Sequence, residues 1–533
     1  MKKRTTILST ALAIILALTS LLTGCNPNEG TGETTPFGSP FGTTEPAPEA
    51  ESTPEESLEG SAPESTPEST PESTPESTPE STPESTPEST PEEPDDPPAE
   101  DSLWSVGFGS YEIALPEDPK TPLYMAGYNQ GYRARRVHDL QRANAVWLDA
   151  RDEAGGIMVI SIDCVGLASK YVNEIRTRLS DFTAESGCAA INVVSTHTHA
   201  GIDTFGLWGP AGVDGKNEEF MENLVNAAVN AAKAAYADRS EGTIKYASVK
   251  TSNMLRDSRL PIVTDPYLYQ LRFEPIDRSQ NGVRIVVYGA HAESMRSENN
   301  AVSRDYPGEM SDIIKEETGD DMLYLPGPIG GLVMTLEFVT PFDEIKNLEI
   351  TGRKLANYLL SIKKENEVIV SSELSFVRET IEVPVENTVF KLYKSLGILD
   401  NEIYTDPSGA VIVKSEINLI SLGGKEGLLF GLIPGEIFPE LVLGTGLKET
   451  DPIALSKLAA DAGYTNLLTI NLANDELGYI VPPSDFIVHP TNPYFERYTV
   501  NGEDHYEETN SVGKECAAKI SEAFASALSK LEK

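Results

Sequence analysis

Ser195-Thr196-His197-Thr198-His199-Ala200-Gly201 follows the apolar run Ala190-Ile191-Asn192-Val193-Val194. The run reads as a buried strand, and two of the chain's six histidines then fall at i and i+2, where it gives way to a glycine-bearing loop. Imidazole is the commonest metal ligand, and side chains two apart on an extended backbone point to the same side. A second apolar run, 283–290, also ends in a histidine, His291. The expectation is a metal site at the carboxyl ends of neighbouring strands, where ligands gather in open α/β sheets.

Outward from that tract, strand and helix signals alternate. A β-rich run covers 157–162 after Gly155-Gly156, and 170–182 carries Val172, Ile175 and Leu179 on one helical face. The Ala-rich stretch 218–237 is long enough for five turns. Strands are expected at 243–249, 268–273 and 283–288, then a helix at 311–317, a strand at 322–325 and a helix at 348–362. Strand-like runs cluster at 368–376, 379–385, 410–417, 428–433 and 465–472, and 508–531 closes as a helix. This pattern gives an α/β (mixed α+β) domain over 101–533, a sheet with flanking helices.

The first hundred residues are of another kind. Lys2, Lys3 and Arg4 precede the apolar segment 7–18, and Leu22-Thr23-Gly24-Cys25 matches a bacterial lipobox. Residues 1–24 are expected to be a lipoprotein signal peptide, with Cys25 lipidated, the product exported and anchored to the outer face of the cell membrane. From 25 to 100 runs a stalk with seven Pro-Glu-Ser-Thr units and, beyond the lipobox, no Lys or Arg. It cannot bury apolar surface, so it should be disordered and extended, a spacer of about 3.1 Å per residue.

The whole chain of 533 residues has a formal charge of −41. With the 20 acids of the stalk and the 3 bases of the leader set aside, residues 101–533 hold 63 acids and 39 bases, a net of −24. Such a domain is a poor partner for nucleic acid. Besides Cys25, only Cys164, Cys188 and Cys516 remain, too few for a disulfide framework and without zinc-ribbon spacing. Cys164 reads as a small buried residue. A metal here would rest on histidines and carboxylates.

Other polar residues stand after strands. Glu436, in Pro434-Gly435-Glu436, follows an apolar run; taken alone it reads as a carboxylate at the start of a helix. Tyr479 lies in Asn474-Asp475-Glu476-Leu477-Gly478-Tyr479, and an isolated Tyr there reads as a packing residue. Arg256 and Arg259 are candidates for holding a carbonyl or an anion, or else solvated surface. His138-Asp139 resembles a turn pair, and Asp163 is placed to orient a ligand.

Met125-Ala126-Gly127-Tyr128, Ser161-Ile162-Asp163-Cys164-Val165-Gly166, the Thr-His-Thr-His tract, Tyr288-Gly289-Ala290-His291, Ser303-Arg304-Asp305-Tyr306-Pro307-Gly308, Pro434-Gly435-Glu436 and Gly478-Tyr479 occur in this order. Together they resemble the catalytic domain of the neutral/alkaline non-lysosomal ceramidase family. The resemblance implies one Zn2+ held by His197, His291, Glu436 and Tyr479. His199 would handle a proton beside it, and Tyr479 and Arg256 would face the reacting carbonyl. The implied reaction is hydrolysis of an N-acyl-sphingosine or other N-acyl lipid amide by metal-activated water.

Three departures accompany it. The family's Gly-Asp-Val-Ser-Pro-like loop is Gly327-Pro328-Ile329-Gly330-Gly331-Leu332-Val333-Met334-Thr335 here, without the Asp or Ser. Ala200 and Ile202 replace a Ser and a Pro. No C-terminal immunoglobulin-like domain is expected after the final helix. The competing expectations are a hydrolase of a non-lipid amide or ester, and a non-catalytic surface lipoprotein that binds a lipid or wall component.

Overall fold

Strand 156–162 shows how the sheet is made. Ile157 and Val159 face one core, while Met158, Ile160 and Ile162 face another, the period-two alternation of a strand buried on both sides. The structure is a computed structural model that describes residues 102–117, 122–334, 340 and 343–531. The expected signal peptide, Cys25 and the stalk lie outside those residues.

Eight strands make the main path: β1 (Leu103–Glu112), β2 (Arg142–Asp149), β3 (Gly156–Ile162), β4 (Cys188–Ser195), β5 (Ser240–Lys250), β6 (Tyr267–Pro275), β7 (Val283–Tyr288) and β8 (Asp321–Pro326). They lie in the order β8-β7-β6-β5-β1-β2-β3-β4, and Val368–Val370 pairs with β5 as the ninth strand. The flanking pairs β8–β7 and β3–β4 are parallel, and the pairs between them are antiparallel. The outer face is covered by α1 (Ser169–Arg178) and α2 (Glu218–Asp238) on one side, and by α3 (Asp305–Thr318) and α4 (Glu344–Leu360) on the other.

A second, five-stranded sheet packs its inner face on the first. It runs β9 (Leu374–Pro384), β10 (Val411–Leu422), β11 (Leu428–Leu432), then β13 (Leu467–Ile470), with Glu402–Thr405 as the fifth strand. Leu422, Phe430, Leu432 and Ile470 join Val159, Val194, Ile285 and Leu325 in one shared core. Its outer face is closed by α5 (Cys516–Leu531), through Ile520, Phe524 and Leu528. Two short parallel strands, β12 (Glu436–Ile437) and β14 (Tyr479–Ile480), stand apart as their own pair.

The fold is the expected α/β arrangement with helices flanking sheets. Two details differ. The 508–531 helix begins only at Cys516, since Glu507–Asn510 forms a 3-10 turn of its own. The strands that deliver the histidines are not neighbours: β4 ends one flank, and β7 lies near the other with five strands between them. The sheet curls until its flanks meet, and Ser161 Oγ of β3 donates to Tyr324 O of β8 at 2.6 Å.

Candidate metal centre and its cavity

Backbone hydrogen bonds hold the tract after β4. Thr196 N donates to Ile162 O and His197 N to Cys164 O, each at 2.9 Å. His199 N donates to Ala292 O at 2.9 Å, and Thr198 forms a parallel bridge with Ala292, beside His291. His197 has φ 64°, so the backbone is not extended there. The two rings share a side because a left-handed residue turns the chain, not because of strand alternation. Gly127, at φ 100°, lies against the His199 ring: a Cβ there would sit 2.5 Å from Cγ.

Three of the buried histidines, His197, His199 and His291, have ring nitrogens within 4.8 Å of one another, a group that could hold a metal ion. His197 Nδ1 lies 2.5 Å from Val165 O, and His291 Nδ1 lies 2.7 Å from Leu332 O. A ring that donates from Nδ1 to a carbonyl leaves its Nε2 lone pair free to ligate. Both Nε2 atoms face Glu436 Oε2, at 3.5 Å from His197 and 3.0 Å from His291. His199 Nε2 is 3.1 Å from His197 Nε2, while its Nδ1 is buried without a hydrogen-bond partner. Tyr479 OH is 3.3 Å from His291 Nε2, and Tyr506 packs edge-on to the Tyr479 ring at 5.8 Å.

Glu436 does not start a helix. It sits in β12, in direct register with Tyr479 of β14, and the helix begins at Pro439. The pairing therefore sets carboxylate and phenol side by side. Gly478 makes the approach possible: it has φ 77°, and a Cβ would lie 1.7 Å from Asn510 O.

Electrostatics follow from burial and proximity. Burial, reinforced by the other two rings, holds His199 well below the usual imidazole range. Burial opposes charge on His291 too, but the bond to Glu436 and its charge lift that ring to about 9. Glu436 is pushed up by burial, yet His197 and His291 together bring it well below the ordinary carboxylate range. Burial, the Glu436 charge and Tyr506 raise the Tyr479 phenol well above its usual value.

The other candidates lie elsewhere. Arg256 is on a short strand, Leu255–Asp257, paired with Leu332–Met334, whose Leu332 carbonyl anchors His291. Its Nε is buried without a partner, and among the described residues no hydrogen bond or ion pair joins it to the histidines. Arg259 is neither surface nor anion site: it is buried among Asp485, Glu507, Glu508 and His505. His138 is exposed, but Asp139 accepts from Ser303 Oγ at 2.6 Å, and Ser303 O accepts from Thr198 Oγ1. Asp163 accepts from Arg142 N at 2.9 Å, and burial, against the pull of Arg304, lifts its carboxyl to about 7. It braces the loop rather than orienting a histidine. Cys164 is fully buried, with its thiol pushed by burial to about 12.

A cavity opens beside His197, His199 and Glu436, taking in about 640 Å³ of space that is partly open to solvent. Phe205, Leu207, Trp208, Phe390, Leu399 and Ile403 make its wall mostly apolar, and Glu476 stands in that wall. Nothing local in the sequence marks these residues, because they come from four separate segments. Glu476 and Tyr128, whose ring packs edge-on to His199 at 5.0 Å, did lie in quoted motifs, yet only the fold aims them.

The architecture has solved counterparts. The chain is similar to the crystal structure of neutral ceramidase from Pseudomonas aeruginosa, with a TM-score of 0.62, 17% identity, and coverage of 80% of this chain and 74% of that one. It is also similar to a ceramidase complexed with C2, at TM-score 0.63 and 16% identity, covering 81% and 76% of the two chains. The fold is that of the neutral ceramidases. A scan of protein-family models and a search of curated proteins gave no match. A ceramidase-type fold at such low identity preserves the frame while leaving the chemistry to be argued from the site.

Proposed function

We propose that the chain is a zinc-dependent, ceramidase-like amidohydrolase acting on an N-acyl lipid, an N-acyl-sphingosine among the candidates. One observation carries the reading: Glu436 Oε2, buried and without a full hydrogen-bond partner, faces two imidazole Nε2 atoms whose opposite nitrogens are tied to carbonyls. Two imidazoles with Nδ1 turned to backbone carbonyls and a carboxylate, converging in a buried place, are a donor set that fits Zn2+. His197, His291 and Glu436 would hold the ion, with Tyr479 as the fourth group. When bound, zinc lowers the pKa of a coordinated water to about 7 and polarises a carbonyl.

The chain's own residues supply the rest. His199 has no carbonyl fixing its tautomer, and burial keeps it neutral, so its Nε2 suits taking a proton from the attacking water and passing it to the leaving amine. Tyr479, in register with Glu436 and 3.3 Å from His291 Nε2, would face the oxygen on which charge develops. Arg256 stays assigned to positioning the carbonyl, since its Nε is buried without a partner. The cavity takes an apolar chain and excludes water from the reacting amide.

The test is zinc content of the purified full chain together with hydrolysis of a fluorogenic N-acyl-sphingosine. Stoichiometric zinc, lost with activity in His197→Ala, supports the reading. Zinc with turnover of a different amide or ester moves the substrate but keeps the mechanism, an outcome favoured by the loop from Gly327, which lacks the family's Asp and Ser. Absence of metal overturns both and leaves a binding protein. Export and anchoring through Cys25 belong to the same proposal. Cys25→Ala should release the protein from the membrane fraction, and an unchanged distribution would refute the anchor.

A further inference from the structure

Glu476 is a carboxylic acid in a mostly apolar wall, and no step above uses it. Its Oε1 accepts from Gly478 N at 2.6 Å, while Oε2 is shut off from bulk water and has no hydrogen-bond partner. Gly166 opposes it on the same cavity wall, where a Cβ would come within 3.1 Å of Glu476 Cγ, so the chain leaves room for this carboxyl. Glu436 lines the same cavity, and burial together with its charge raises the Glu476 pKa well above the carboxylate range. A polar atom left unpaired in such a wall is costly unless a ligand completes it.

We propose that Glu476 is a specificity residue: its carboxyl hydrogen-bonds a hydroxyl on the chain seated in the cavity, near the amide, so hydroxylated N-acyl compounds are preferred to their deoxy counterparts. A hydroxyl both donates and accepts, so it completes the carboxyl in either protonation state. A plain methylene would leave Oε2 unpaired. The inference rests on the amide-hydrolase reading for what is cleaved, but the hydroxyl preference itself is a property of binding.

The probes are dodecanamide and its 2-hydroxy and 3-hydroxy derivatives, titrated into the full chain. The readout is the fluorescence of Trp208 in the cavity wall, which needs no turnover. At least one hydroxy amide should bind about ten- to a hundredfold more tightly than dodecanamide. Glu476→Leu should bring that ratio to about one, and Glu476→Gln should keep a preference because a carboxamide also donates and accepts. A wild-type ratio near one, or a ratio that survives in Glu476→Leu, overturns the proposal. If the ratio follows Glu476 but no amide is hydrolysed, the hydrolase reading fails and the hydroxyl preference stands.

Discussion

His197 and His199 differ by two positions and by their second nitrogens. His197 Nδ1 is engaged by Val165 O, whereas His199 Nδ1 has no partner. The division of labour between them makes a measurable difference. His199→Ala should retain zinc while kcat falls about 10²–10⁴-fold, the usual worth of a positioned general acid–base group. Loss of zinc in that variant would make His199 a ligand, and unchanged kcat would remove it from the proton path. His197, His199 and His291 could be singled out from the sequence because each stands where an apolar run ends. Glu436 and Tyr479 are reached only through the family resemblance, since alone they read as a helix-start carboxylate and a packing residue. Arg256 takes its positioning role from the resemblance as well, and among the described residues no hydrogen bond or ion pair joins it to the histidines. Glu476 and Trp208 were not legible as a pair, since a cavity wall assembled from distant segments has no local signature.

At the level of elements, the decisive unit is the two-residue pair β12–β14, which aligns Glu436 with Tyr479. So short a pair is invisible to periodicity, and Pro434-Gly435-Glu436 before an apolar run looks like a helix start. The pair depends on Gly478, whose φ of 77° and contact with Asn510 O exclude a side chain. Gly478→Ala should therefore destabilise the protein by at least about 2 kcal/mol, read as a lower thermal midpoint. A wild-type midpoint would show that the strand pair tolerates a shift the geometry denies. The longer elements were legible because their burial is periodic: β3 alternates between two cores, and α2 presents Phe220, Leu224 and Ala228 to one. The meeting of β4 and β7 was not, because curling is a property of the whole sheet rather than of either strand.

On the scale of the molecule, the unusual feature is the number of buried acids held above their ordinary range. Burial is the leading cause in each: Asp163 and Glu440 stand at about 7, Asp203 and Asp475 at about 6, and Glu507 at about 8. In the unfolded chain these groups ionise near pH 4, so at neutral pH the folded state binds more protons, and stability falls as pH rises through the folded values. His291, at about 9 in the folded protein, adds the same sign between its unfolded value near 6.5 and pH 9. His199, shifted down, opposes this only below about pH 6.5. For metal-free protein the thermal midpoint should accordingly drop between pH 6.5 and pH 8.5, and a rise over that window would contradict the assignment. The acidic balance of residues 101–533 was readable from composition. Which acids are buried was not.

The central claim is that His197, His291, Glu436 and Tyr479 hold one zinc ion. X-ray absorption at the zinc edge of the purified full chain tests it most directly. The account predicts one equivalent of zinc with a nitrogen and oxygen shell at about 2.0–2.2 Å and imidazole scattering from two histidines. Zinc absent from the protein, or a sulfur shell at about 2.3 Å, would contradict it.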